Sequence, residues 1–180
     1  CLPSYHPSYC LRQYENTPLL MMDLKRCKKE AESPTLVLPQ RDLVVDITVD
    51  QILNHIFMIR LQKIPISLDI EGYWTSVTCI SIAATQYHTF IVPFVRLDKP
   101  SYWSIDDETT ITRALSALLA DPNVPKCWQN GLYDRFVLQY GFDMPVFGNH
   151  DDTMLKFWEM WCELPKNLGL QASVLTEEPY

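Results

Sequence analysis

Glycine is scarce in this chain, five residues in 180 against thirteen prolines. That ratio excludes a flexible linker protein. Paired cysteines are missing: Cys1, Cys10, Cys27, Cys79, Cys127 and Cys162 are scattered, with no Cys-x-x-Cys, which argues against a zinc site. No apolar run reaches the roughly 20 residues of a membrane-spanning helix. No basic start with an apolar middle marks a signal peptide. A reducing, cytoplasmic setting without a membrane partner is therefore the expectation. An initiator Met is also missing, and the opening on Cys1 suggests truncation. Basic residues are few, 15 against 22 acids, for a net charge of −7. Phosphate backbones favour basic surfaces. A nucleic-acid partner would need bound cations that reverse the local sign.

What is present is a core. Hydrophobic residues make up 47% of the chain, enough for one full domain with an extra segment. Residues 1–32 form a turn-rich start followed by a basic helix from Leu19 to Glu32, and Ser33-Pro34 is a break. Leu36-Val37-Leu38 and Leu43-Val44-Val45 read as linker or edge strands within 33–47. Thr48 with Gln51 is a capping box that opens a helix over Val49–Leu61. Ile64–Ile70, Val77–Ala84 and Tyr87–Val95 read as an antiparallel meander, with turn signals at Gly72 and Thr85-Gln86. A helix over Ile105–Ala120, a strand over Lys126–Gln129 and a helix over Leu132–Tyr140 follow. Asp152 is expected to cap a helix through Trp161, and Leu168–Leu175 begins a last amphipathic stretch. Three antiparallel strands, then helix, strand and helix, is the opening order of a ribonuclease-H-like α/β fold: a mixed sheet flanked by helices, with an N-terminal appendage.

Asp69 and Glu71 end the first strand of the meander. At i and i+2 on a strand they point to one face. Desolvating a carboxylate costs several kcal/mol unless it is paired or binds a metal. Two of them on one side of an apolar strand therefore read as a divalent-metal site. The second signal is Trp128-Gln129-Asn130-Gly131-Leu132-Tyr133-Asp134-Arg135, a strand end running into a helix with Asn130 as N-cap. It brings Asp134 toward the sheet edge one turn in. Alone, Asp134 would be an ordinary first-turn acid favoured by the helix dipole; the three acids together point to chemistry.

Asp-x-Glu followed by Gln-Asn-x-x-Tyr-Asp-Arg resembles the proofreading 3′–5′ exonuclease domain of family-A DNA polymerases, especially the phage-type members. Asp152-Thr153-Met154-Leu155 and Glu163-Leu164-Pro165-Lys166 match further segments of that domain. The resemblance covers roughly residues 40–180, with the domain itself set at 48–180. It implies two-metal phosphodiester hydrolysis with Mg²⁺ or Mn²⁺ at single-stranded DNA 3′ ends. Asp69 would bridge both ions, Glu71 would hold the water-activating one, and Asp134 would support the second. Asn130 and Tyr133 would contact the terminal nucleotide. Tyr73 and Trp74 follow the acids and could stack on splayed bases. A polymerase module in the same parent chain is left open. Within the resemblance, a ribonuclease-D-like RNA exonuclease is the rival on the same fold.

One element of the family pattern is missing. A later Tyr-x-x-x-Asp or His-x-x-x-x-Asp should supply a fourth acid, but Tyr140 leads to Met144 and His150 to Leu155. The expectation is an incomplete domain with strongly reduced hydrolysis, or a catalytically dead nucleic-acid-binding or scaffold remnant. Residues 1–32 carry a second resemblance. Leu2-Pro3-Ser4-Tyr5-His6-Pro7-Ser8-Tyr9 with Asp23-Leu24-Lys25 is similar to the C-terminal end of family-four uracil-DNA glycosylases. There the residue matched by His6 has an oxyanion-type role, so a uracil-recognition module is a further alternative. The remaining histidines and the Trp158/Trp161 pair read as packing or surface, and Lys25 to Lys29 as a solvated helix face.

Overall fold

The computed structural model describes residues 4–33, 35, 39–99 and 101–176. Leu36-Val37-Leu38 and the first residues of the glycosylase-like motif lie outside them. Contacts divide the chain into two compact units, one of residues up to Pro39 with those from Met154 onward, the other Gln40–Thr153. Among the described residues no helix is long and apolar enough to cross a membrane.

The first unit is helical. Its N-terminal elements are α1 (Pro7–Cys10), a 3₁₀ turn (Tyr14–Asn16) and α2 (Thr17–Glu30). Pro18 near the start of α2 suits a position whose N–H has no intrahelical acceptor. The second unit opens with β1 (Asp42–Val44) and α3 (Val49–Gln62). The expected capping box is present in both directions: Gln51 N–H donates to Thr48 Oγ1 at 3.3 Å, and Thr48 N–H donates to Gln51 Oε1 at 2.9 Å. Next come β2 (Ile66–Tyr73), β3 (Ser76–Ala83), β4 (His88–Pro93), α4 (Ile105–Leu119), β5 (Lys126–Trp128), α5 (Leu132–Phe136) and β6 (His150–Asp152). From β6 the chain enters α6 (Thr153–Met160), and α7 (Leu168–Leu175) follows.

The six strands form one mixed sheet in the order β1-β4-β3-β2-β5-β6. The β2-β3-β4 meander is antiparallel, whereas β1-β4, β2-β5 and β5-β6 are parallel. The architecture is the mixed α/β, ribonuclease-H-like one. One sheet face builds the core: Leu68 and Ile70 of β2, Ile80 and Ile82 of β3, and Phe90 and Val92 of β4 pack with Ile52, Ile56 and Ile59 of α3 and Ile111, Leu115 and Leu118 of α4. The i, i+3, i+4, i+7 spacing on both helices is what one-sided burial requires. On β2 burial alternates residue by residue, so the strand expected to be buried is half-buried, and the acids lie on its open face.

Two expectations about local structure are corrected. The helix expected over Leu132–Tyr140 is α-helical only to Phe136 and widens into a π turn over Val137–Gly141. The widening lets Val137 and Leu138 both reach the core. Gly141 is required there, because a Cβ would stand 2.7 Å from the Trp74 carbonyl oxygen. Cys79 and Cys127, read as core residues, are only half-buried. Cys79 stands directly across from Glu71. Burial, with the charges of Glu71 and Asp69 behind it and a hydrogen bond from Thr78 opposing, raises its thiol above the ordinary range.

Candidate active site

β2 carries the site because its register with β3 breaks between Glu71 and Gly72. A bulge at that point bends the strand, and pairing resumes in a shifted register at Gly72–Val77 and Tyr73–Ser76. Gly72 takes φ +132°, and a Cβ there would meet the Ser76 carbonyl at 2.3 Å. The backbone therefore turns immediately after the acids, and Tyr73 and Trp74 emerge at the hairpin tip, 77% and 63% exposed.

The other edge of β2 explains Asp134. β5 pairs with β2 only at Ile66 and Ser67, so the N–H of Ile70 finds no strand beside it. Asp134, 7% exposed on α5, fills that gap: Ile70 N–H donates to its Oδ1 at 3.2 Å. Without such a partner, a buried N–H costs about 1–3 kcal/mol. On the other flank Tyr133 Oη donates to the Gly72 carbonyl at 3.3 Å, tying α5 to the end of β2.

Electrostatics show that the three acids share one field. Partial burial raises the Asp69 carboxyl above its ordinary value, and the charges of Asp134 and Glu71 raise it further. Burial likewise raises Asp134 against its backbone hydrogen bonds, with Asp152 and Glu71 adding to the rise. Carboxylates without a cation between them behave in this way.

Asn130 is not the N-cap that the sequence suggests. It sits at φ +57°, and Gly131 takes the cap position with no side-chain cap. Asp152, expected to cap its own following helix, supplies the missing acceptors from β6: its Oδ1 accepts from Asn130 N–H at 3.1 Å and its Oδ2 from Gly131 N–H at 2.9 Å. The register that pairs Trp128 with Asp152 brings it there. Thr153 Oγ1 donates to the Trp128 carbonyl at 3.2 Å and closes the same turn. Sequence reasoning missed this clamp, because an Asp followed by Thr at a helix start reads locally as a cap.

The structure thus brings Asp69, Glu71, Asp134 and Tyr133 together, with Tyr73, Trp74 and Asn130 on the adjoining loops. His6 belongs to the helical unit and caps α1, its Nδ1 accepting from Ser8 N–H at 3.1 Å. As donors, three carboxylates suit a hard divalent ion such as Mg²⁺ or Mn²⁺. Among the described residues, however, no three acid, His or Cys side chains already stand in an ion-holding group. Asp134 is held by Ile70, whereas the Glu71 carboxylate has no hydrogen bond among the described residues and is free to turn.

No protein-family model and no curated protein matches the sequence. Among solved structures, the chain is similar to the Aedes aegypti Nibbler EXO domain, at 13% identity and a TM-score of 0.56, over 82% of this chain and 74% of that one. It is similar to a nuclease in its apo form at 14% identity and a TM-score of 0.52, over 79% of this chain and 63% of that one. Escherichia coli RNase D, an exoribonuclease involved in structured RNA processing, shows 17% identity and a TM-score of 0.49 over 75% of this chain. This chain spans 33% of that enzyme's length. The likeness to the first two supports the mixed α/β, ribonuclease-H-like fold.

Proposed function

We propose that this chain is a metal-dependent 3′–5′ exonuclease domain acting on single-stranded nucleic-acid ends. The observation that carries the reading is the placement of Asp69 and Glu71 on the open face of β2, with Asp134 anchored on the N–H between them and all three coupled through their charges. Asp69, Glu71 and Asp134 would hold two Mg²⁺ or Mn²⁺ ions. Bound there, the ions supply hydroxide at neutral pH and stabilise the leaving 3′-oxygen. The chain's own residues do the rest. Tyr133 and Asn130 border the carboxylates and would orient the terminal nucleotide. Exposed Tyr73 and Trp74 offer faces for unstacked bases. Asp152 holds the turn that positions Asp134.

DNA is the proposed substrate, on the motif resemblance to polymerase proofreading domains. A ribo strand is the alternative, and matched deoxy and ribo oligonucleotides separate them because the 2′-hydroxyl is the only difference. Among the described residues no three-ligand group is preformed, which favours one other reading, a nucleic-acid-binding domain without hydrolysis. Calorimetric Mn²⁺ binding to the wild type and to Asp69→Ala, with strand degradation followed in the same samples, decides between them. The exonuclease reading expects binding that Asp69→Ala abolishes, together with slow degradation from the 3′ end. Binding without degradation would favour the second reading, and no Mn²⁺ binding would remove the metal site.

A further inference from the structure

The cations of this acidic chain are not evenly spread. Four of its fifteen basic residues, Lys25, Arg26, Lys28 and Lys29, stand within five positions of α2. Helical spacing sorts them into two roles. Arg26 turns toward α7: its Nε donates to Glu30 Oε1 at 2.6 Å, and its Nη1 to the carbonyls of Ser173 at 3.1 Å and Thr176 at 3.4 Å. Its charge is compensated, and its work is to join the two helices. Lys25, Lys28 and Lys29, at i, i+3 and i+4, share one exposed stripe. Lys25 and Lys28 have no ion pair or hydrogen bond among the described residues. Like charges at that spacing cost a few tenths of a kcal/mol per pair. The carbonyl end of α2 favours cations in its last turn, which accounts for Lys28 and Lys29. Lys25 lies further back, beyond the reach of that dipole.

Beside the stripe runs a cleft of about 670 Å³: Lys25, Arg26 and Lys29 of α2 line it together with Glu30, the partner of Arg26; Met22, Val174 and Leu175 form its apolar part, and Ser33, Thr35 and Thr176 complete it. A cationic rim over an apolar floor is the arrangement that takes a phosphodiester backbone along the rim and unstacked bases on the floor. A duplex would present no free bases to that floor. We infer that the Lys25–Lys28–Lys29 ridge and its cleft are an accessory binding site for single-stranded nucleic acid, separate from the acids of β2. The nuclease reading suggests the kind of polyanion; the ridge and cleft supply the place.

The test uses the full chain in EDTA, where strand cleavage cannot occur, with 5′-fluorescein oligothymidylate followed by polarisation across a salt series. Lys25→Gln/Lys28→Gln is expected to weaken binding several-fold and to lower the slope of log K on log salt by about 1.4, the release expected for two single-strand phosphate contacts. Lys99→Gln/Arg113→Gln, exposed sites on the other unit, should leave both unchanged. Circular dichroism checks that the ridge variant folds, and Lys25→Arg/Lys28→Arg should restore binding. No oligonucleotide binding by the wild type, an unchanged slope in the ridge variant, or equal losses in the control pair would overturn the proposal. So would a ridge variant that loses binding to phosphatidylserine vesicles but keeps the oligonucleotide. Oligonucleotide binding in EDTA requires no metal, and Mn²⁺-dependent degradation is read in separate samples, so failure of the nuclease reading and failure of the ridge give different results.

Discussion

Asp134 joins two demands in one side chain. Its Oδ1 satisfies the Ile70 N–H, while its charge sits in a buried place that disfavours it. Asp134→Asn keeps a carbonyl oxygen for that N–H and removes the charge, so the fold should be as stable as the wild type or more so, with Mn²⁺ binding weakened. Asp134→Ala leaves the N–H without an acceptor and should cost about 1–3 kcal/mol in urea unfolding. Equal stability of the two variants would show that the hydrogen bond contributes nothing. At this scale the sequence was informative about identity and silent about partners. The pattern of Asp69, Glu71 and Asp134 was legible, because side-chain direction on a strand follows from parity. The Ile70 acceptor was not, since it depends on where β5 stops pairing.

The turn between β5 and α5 is built by three segments, and only one of them is local. Gly131 occupies the cap position because a Cβ there would come within 2.3 Å of the Trp128 Cβ, and a side chain able to cap its own helix has no room. Asp152 on the neighbouring strand β6 instead accepts the N–H groups of the turn that leads into the helix. Asp152→Ala should free two backbone N–H groups, cost roughly 1–3 kcal/mol, and raise hydrogen exchange at Asn130 and Gly131 well above that at the core strand residues Ile80 and Ile82. Unaltered exchange at the two turn amides would sink this account. The helices over Val49–Gln62 and Ile105–Leu119 were readable to within a residue or two, because their caps and apolar stripes are both encoded within the element. The π turn at Val137–Gly141 was not, since it answers to the hairpin carbonyl of Trp74 packed against Gly141.

Across the sheet unit, two histidines make stability depend on pH. His55 on α3 stacks on Phe90 and lies 5.0 Å from the ring of His88, which pairs with Asp42 at 2.8 Å. Burial, then the charge of His88, lowers the affinity of His55 for a proton, against the pull of Asp42. At the opposite edge His150 on β6 is lowered by burial and by the charges of Arg135 and Lys126. A depressed histidine stays neutral in the fold while the unfolded chain takes a proton, so stability is lost as pH falls below about 6.5. The raised carboxyls of Asp69 and Asp134 act with the opposite sign, nearer the acid range. Thermal melting should therefore drop between pH 7.5 and 5.5, and His55→Gln/His150→Gln should reduce that drop; an equal drop in the double variant would rule these groups out. The sequence by itself determined the α/β class, the meander and the helices that cover one face, because periodicity, caps and turn residues act over a few positions, and it singled out Asp69, Glu71 and Asp134 as candidates. Only the tertiary structure decided that Asp69 and Glu71 face outward, that the buried Asp134 rests on Ile70 and that Asp152 holds its turn. Those outcomes depend on strand order and on where parallel pairing ends, which are set by contacts between residues far apart in the chain.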